Sequence, residues 1–175
     1  MTDVVFRAAT ADDVAALHRL IASAYRGETA KAGWTHEADL LGGQRTDADE
    51  LATIVADPTR VLLLAEAGDD LVGCVQVADQ SEGLAYLGML TVQPTLQSAG
   101  LGRRLLDAAE AEATARFAAA RMEMTVIRQR PELIAWYQRR GYAPTGETRP
   151  FPLHDARFGQ AFRQDLEFVV LEKAL

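Results

Sequence analysis

The chain has one cysteine, Cys74, so no internal disulfide can form and a reducing, cytoplasmic setting is expected. No apolar run approaches the roughly 18 residues of a membrane-crossing helix. The opening Met-Thr-Asp-Val-Val-Phe-Arg lacks a basic segment followed by an apolar one, so no signal peptide is expected. Positive charge is in deficit: 18 basic against 25 acidic residues give a formal net charge of −7. That argues against a nucleic-acid binder and permits a cationic substrate such as an amine. His18, His36 and His154 stand far apart without metal-ligand spacing, so no metal site is expected. No Gly-x-Ser-x-Gly nucleophile elbow occurs. Cys74, inside the strand-like Val-Gly-Cys-Val-Gln-Val, reads as a small buried apolar residue rather than a nucleophile.

At 175 residues, about half of them hydrophobic, the chain fits one domain, 1–175, with a real core. A first strand is predicted at Val4–Ala8. A helix follows to about Tyr25, with Val14, Leu17, Ile21 and Ala24 at helical spacing. Residues 26–45 show no periodicity. A second helix starts near Thr46 and stops at Pro58. Strands are expected at Arg60–Glu66, Leu71–Val77 and Leu84–Val92. A long helix follows from Gly100 to Phe117, a strand at Met122–Ile127 and a helix from Pro131 to Arg140. Tyr142–Gly146 and Gln164–Leu171 complete the set. The expected fold is α/β, a mixed and mostly antiparallel twisted sheet with helices on both faces.

The richest stretch is Val92-Gln-Pro-Thr-Leu-Gln97-Ser98-Ala99-Gly100-Leu101-Gly102-Arg103-Arg104, which joins a strand to a helix through two glycines. Glycine admits a ligand close to the backbone. A helix's first turn carries unpaired N–H groups and the positive end of its dipole, a socket for phosphate. A Walker loop is excluded because Gly102 is followed by Arg103 and Arg104. The dinucleotide fingerprint is excluded because Leu105 stands where a small third residue belongs, and the turn comes after half the chain.

This Gln-x-x-Gly-x-Gly after a Val-x-Pro strand end resembles the pyrophosphate loop of the GCN5-related N-acetyltransferases (GNAT), and the order of elements resembles theirs over almost the whole chain. The resemblance implies that acetyl-CoA is the cosubstrate, bound by Leu90, Thr91, Val92 and the residues Gln97, Ser98, Ala99, Gly100, Leu101, Gly102 and Arg103. It also implies a small amine acceptor and a direct transfer. The helix holding Tyr137, ahead of Gly141-Tyr142, resembles the family segment whose tyrosine protonates the leaving thiolate, so Tyr137 is the expected general acid. The competing reading makes Tyr137 and Trp136 core aromatics.

Two departures from the family pattern stand out. Arg130 occupies the position where many members have an asparagine on the pantetheine arm; it either contacts the cofactor or is a solvated charge. Ala85–Val92 lacks the carboxylate that often serves as base, and Glu82 is the nearest. Candidates for proton transfer are therefore His36 and Glu37 in the irregular segment, against a plain loop role for His36. Glu28 and Trp34 are expected to help form the acceptor pocket, with anchoring of the loop to the core as the other reading of Trp34. Rival functions are a non-catalytic acyl-CoA sensor of the same fold and an unrelated phosphate-binding protein. The final strand suggests pairing across a homodimer.

Overall fold

The computed structural model describes residues 3–175. Among the described residues nine strands and five helices follow one another: β1 (Val4–Ala8), α1 (Val14–Tyr25), α2 (Gly27–Ala30), β2 (Leu41–Gly42), α3 (Ala48–Ala56), β3 (Arg60–Ala67), β4 (Asp70–Asp79), β5 (Leu84–Val92), α4 (Leu101–Phe117), β6 (Arg121–Ile127), α5 (Pro131–Gln138), β7 (Ala143–Pro150), β8 (Gln160–Ala161) and β9 (Glu167–Ala174). Seven strands form one sheet in the order β1-β3-β4-β5-β6-β9-β7, and β2 pairs β8 in a small second sheet. Within the large sheet β5 and β6 run parallel; the other neighbours are antiparallel.

Side-chain alternation on β3 divides the core. Val61, Leu63 and Ala65 pack with Leu105, Leu106, Ala109 and Ala113 of α4, whereas Leu62 and Leu64 pack with Leu17, Ile21, Leu51 and Ile54 of α1 and α3. Both faces of the sheet are therefore covered, which explains why Val61–Ala65 is apolar without a break. Asp47 caps α3 by accepting a hydrogen bond from the Glu50 amide at 2.7 Å.

Two irregularities open the sheet at its centre. On β4–β5 the register passes from Cys74↔Thr91 to Gln76↔Gly88, so two steps on β4 span three on β5, and Met89 adopts φ +51°. This bulge reverses the alternation of β5: Ala85 and Leu87 face the α4 layer, but Met89 packs into the α1–α3 layer. The parallel pairing of β5 with β6 is confined to Leu84–Tyr86 against Arg121–Glu123, while β5 continues to Val92 and β6 to Ile127. Beyond Tyr86 the two strands part, and the gap between them is the cleft of the molecule.

The expected main elements are present, with differences; β7, for one, runs on to Pro150 rather than ending at Gly146. Residues 26–45 are not structureless: they carry α2 and β2, and β2 pairs with β8, 118 residues on from Gly42 at Gln160. The C-terminal strand is Glu167–Ala174 rather than Gln164–Leu171. It is also interior, held between β6 and β7, so both of its edges are already paired and it offers none to a dimer partner.

Candidate active site

Two cavities meet at the parting of β5 and β6. The first, about 420 Å³, is lined by Leu90, Thr91 and Val92 at the end of β5, by Gln97, Ser98, Gly100, Gly102 and Arg103 at the start of α4, by Leu133, Trp136 and Tyr137 of α5, and by Trp34 and Thr35. The second, about 570 Å³, lies toward β7 and the small sheet, and shares Tyr25, Leu90, Arg130, Leu133 and Tyr137 with the first.

The first cavity suits an anionic, extended ligand. The first helical hydrogen bond of α4 runs from the Arg104 amide to the Gly100 carbonyl at 3.2 Å, so the amides of Leu101, Gly102 and Arg103 are unspent inside the helix. Gly100 caps the helix at φ +84°, in the left-handed region. A Cβ on Gly102 would meet Trp136 at 3.5 Å and Val92 at 3.7 Å, ordinary contacts. Packing within the protein therefore does not demand glycine there, and what a side chain would occupy is the space above the helix end. Arg103, Arg130, Arg139 and Arg140 line this cavity, and no carboxylate does. Seventeen residues of aligned peptide dipole behind the loop add partial positive charge. Backbone amides, an absent side chain and four guanidinium groups together match the pyrophosphate and phosphate of coenzyme A.

The expected cofactor residues divide in detail. Leu101 turns into the core and Ala99 is exposed; neither lines the cavity. The Gln97 amide works within the protein: its Nε2 donates to the Val92 carbonyl at 3.3 Å and its Oε1 accepts from the Thr35 amide at 3.5 Å. The Gly33 backbone approaches this amide so closely that a Cβ would lie 2.2 Å from Oε1. The segment around Trp34 is thereby fastened to the cofactor loop. Trp34, 41% exposed, is a wall of the first cavity and does not line the second.

Tyr137 stands where the cavities join. It is buried and packs edge-on against Trp136 at 5.0 Å and Tyr142 at 5.8 Å between ring centroids. Burial pushes its phenol well above the usual value, so the hydroxyl keeps its proton throughout the physiological range. Tyr25 lies opposite and donates from its hydroxyl to the Leu90 carbonyl at 2.8 Å, bracing β5 just past the bulge.

Arg130 is not a solvated charge. It is 5% exposed, donates to Glu37 Oε1 at 3.2 Å and to Thr35 Oγ1 at 2.7 Å, and its Nε has no hydrogen-bond partner. Glu37 is equally buried and accepts two further bonds on Oε2 from Arg26, at 2.9 and 3.1 Å. Burial opposes ionisation of Glu37, but Arg130, Arg45 and Arg26 together outweigh it and hold the carboxyl below its ordinary range. A carboxylate so held is a poor proton acceptor. Glu37 joins the segment to the site rather than presenting a free base. His36 lines neither cavity, and its Nδ1 accepts the Ala38 amide at 3.2 Å. Glu28 lies on a separate shallow depression, exposed and paired with Lys31 at 2.9 Å.

Several residues of the second cavity were not picked out from the sequence: Tyr25, Arg26, Arg45, Tyr86, Glu123 and Arg149. Glu123 carried a signal, a lone carboxylate inside Met122-Glu123-Met124 of a strand covered on both sides. It is buried and gripped by Arg149, with both guanidinium nitrogens at 3.2 Å from its two oxygens. Among the described residues no cluster of His, Cys, Asp or Glu has the make-up of a metal site, and no helix is long and apolar enough to cross a membrane.

Comparison with known proteins gives this arrangement its context. The acetyltransferase (GNAT) domain family matches residues 23–151, well over half of the chain. A relative named IAA acetyltransferase, from Azospirillum brasilense, is 32% identical over 114 residues, covering 65% of this chain and 73% of the relative. Among solved structures, yncA from Salmonella typhimurium, determined with its cofactor acetyl-CoA, superposes with a TM-score of 0.71 at 19% identity, covering 99% of this chain and 94% of that one. The IAA acetyltransferase from Bacillus cereus gives 0.68 at 16% identity, covering 99% and 100%. At such identities the structural likenesses speak for the fold alone; the family match and the phosphate-binding geometry of α4 carry the rest. The chain belongs to the GNAT family of N-acetyltransferases and uses acetyl-CoA as its cosubstrate.

Proposed function

We propose that this enzyme acetylates the amine of a small acceptor that enters the second cavity, by direct transfer, with Tyr137 as the general acid. The observation that carries the reading is that Tyr137 lines both cavities, so an acceptor in one and a thioester in the other meet at its hydroxyl. Acetyl-CoA supplies the acetyl group as an activated thioester. The chain's own residues bind, orient and manage protons. The loop from Gln97 to Arg103 and the start of α4 hold the pyrophosphate. The bulge at Met89–Leu90 takes backbone groups out of the β4–β5 ladder at the junction, where an N–H can polarise a carbonyl. Tyr137 donates its proton to the departing thiolate as the C–S bond breaks and regains one from the attacking nitrogen, which sheds a proton on becoming an amide; its raised pKa keeps the phenol protonated at any pH at which the enzyme works.

Direct transfer is favoured over an acetyl-enzyme because the chain's cysteine lies elsewhere. Cys74 is fully buried in the α1–α3 layer, its thiol pushed up to about 12 by burial. No free carboxylate or imidazole lines the second cavity, so the acceptor amine reaches the junction neutral, having lost its proton to solvent at the mouth.

The reading is tested by incubating the full chain with acetyl-CoA and a panel of small amines. Release of free coenzyme A thiol and the mass of the acetylated amine are followed. Acceptor-dependent thiol release is expected, with no acetyl mass gained by the protein when acceptor is omitted. Thiol release without an acetylated amine, or a covalently acetylated enzyme, would contradict it.

A further inference from the structure

The second cavity is charged in a way the amine alone does not explain. Four arginines line it, Arg26, Arg45, Arg130 and Arg149, against two glutamates, Glu37 and Glu123. Each glutamate is already committed. Glu123 is gripped at both oxygens by Arg149, whose Nε also holds Glu147 at 2.9 Å. Glu37 is shared between Arg26 and Arg130. Arg26 spends its remaining donors on the carbonyls of Gly42, Gln44 and Phe158, at 3.1 to 3.3 Å. Arg45 is left over. It forms no ion pair or hydrogen bond among the described residues, and its guanidinium lies over the Tyr25 ring, 5.4 Å from the centroid. Arg26, through the Gln44 carbonyl, fixes the chain immediately before it.

Three arginines thus surround one buried carboxylate, which leaves an excess of positive charge facing the cavity. A planar guanidinium fork without a partner matches a carboxylate in both shape and charge. Phe151, Phe158 and Phe168 form an apolar wall of the cavity. No unpaired carboxylate is present there to attract a second cation, which disfavours polyamines.

We infer that the acceptor carries a carboxylate beside its amine, received by Arg45, together with an apolar or aromatic body that lies against the three phenylalanines: an amine of the amino-acid class. This rests on the acceptor entering the second cavity, as proposed above.

The test measures acetyl transfer by the full chain to matched amines: L-phenylalanine and L-leucine against L-phenylalaninamide, L-leucinamide and putrescine. The expected result is a kcat/KM at least about tenfold higher for the acids than for their amides, the worth of one hydrogen bond to a charged group. In Arg45→Gln the KM for the acids rises about tenfold or more relative to that for the amides, so the preference for acids is lost. Arg45→Lys retains part of the preference. Equal use of acids and amides by the parent, or equal losses for both in Arg45→Gln, would overturn the inference. So would transfer to putrescine or the amides alone, which would leave the small-amine reading standing. Transfer to none of the five overturns both. The acid-against-amide comparison in the parent needs no variant, so a poorly folding substitution does not protect the idea.

Discussion

Glu37→Gln separates a structural role from a catalytic one. The substitution keeps the shape of the side chain and removes its charge. In the parent, Glu37 accepts bonds from Arg26 and Arg130, all three side chains being 10% exposed or less. Breaking a buried pair by removing one partner costs about 3–5 kcal/mol, because the remaining charge is stranded. Two guanidinium groups are stranded here, so the upper part of that range applies. Against a typical total stability of about 5–15 kcal/mol the loss is large. For a chain of this size it corresponds to a fall in Tm of about 8–20 °C. Because the folded-state pKa of Glu37 is lowered, its contribution is fully present above the ordinary carboxylate value near 4.5 and fades as pH falls through the folded value. The gap between parent and variant should therefore be full at pH 7 and narrow progressively as pH falls below about 4.5. Urea unfolding at pH 7 and at pH 4 reads both. A variant as stable as the parent at pH 7, but with kcat collapsed and the acidic limb of its pH–rate profile gone, would refute this account and make Glu37 the base.

Gly102→Asp adds bulk and negative charge above the α4 terminus, and should weaken acetyl-CoA binding by about tenfold or more in calorimetry while leaving Tm within a few degrees, since a Cβ there meets only ordinary contacts. Trp34→Ala should raise the KM for acetyl-CoA severalfold and spare that for the acceptor, because Trp34 walls only the cofactor side; steady-state kinetics with each substrate varied decides this. Gly159→Ala should destabilise by about 2 kcal/mol or more in urea, since a Cβ at φ +87° would lie 2.1 Å from Arg26 Nη1 and 2.5 Å from the Gly42 carbonyl.

What was readable in the sequence is what local chemistry specifies. Gly100 and Gly102 mark the strand–loop–helix joint within a few residues, and Pro131 and Gly141 bracket α5. Covered strands such as Val61–Ala65 betray themselves by unbroken apolarity. Residues 26–45 were illegible because what orders them is distant. The β2–β8 pair is two residues long on each side, and Arg130 reaches Glu37 across 93 positions. No periodicity reports a buried ion pair, so Arg130 and Glu37 read as separate polar residues, one a cofactor or surface arginine and the other a base. The sequence leaves Trp34 between a wall of the acceptor pocket and an anchor for its loop, because nothing local reveals that Gln97 fastens its segment to the cofactor loop. The excess of arginine around the second cavity is likewise hidden in a chain whose net charge is −7.

The most direct test of the account is the Tyr137→Phe variant, which keeps the ring and its packing against Trp136 and Tyr142 and removes only the transferable proton. With a competent amine and saturating acetyl-CoA, in single-turnover conditions that report the chemical step, the transfer rate should fall by about 10²–10⁴-fold while the affinity for acetyl-CoA is unchanged. A transfer rate equal to the parent's would contradict the assignment of Tyr137 and with it the reading of the cavity junction as the place of reaction.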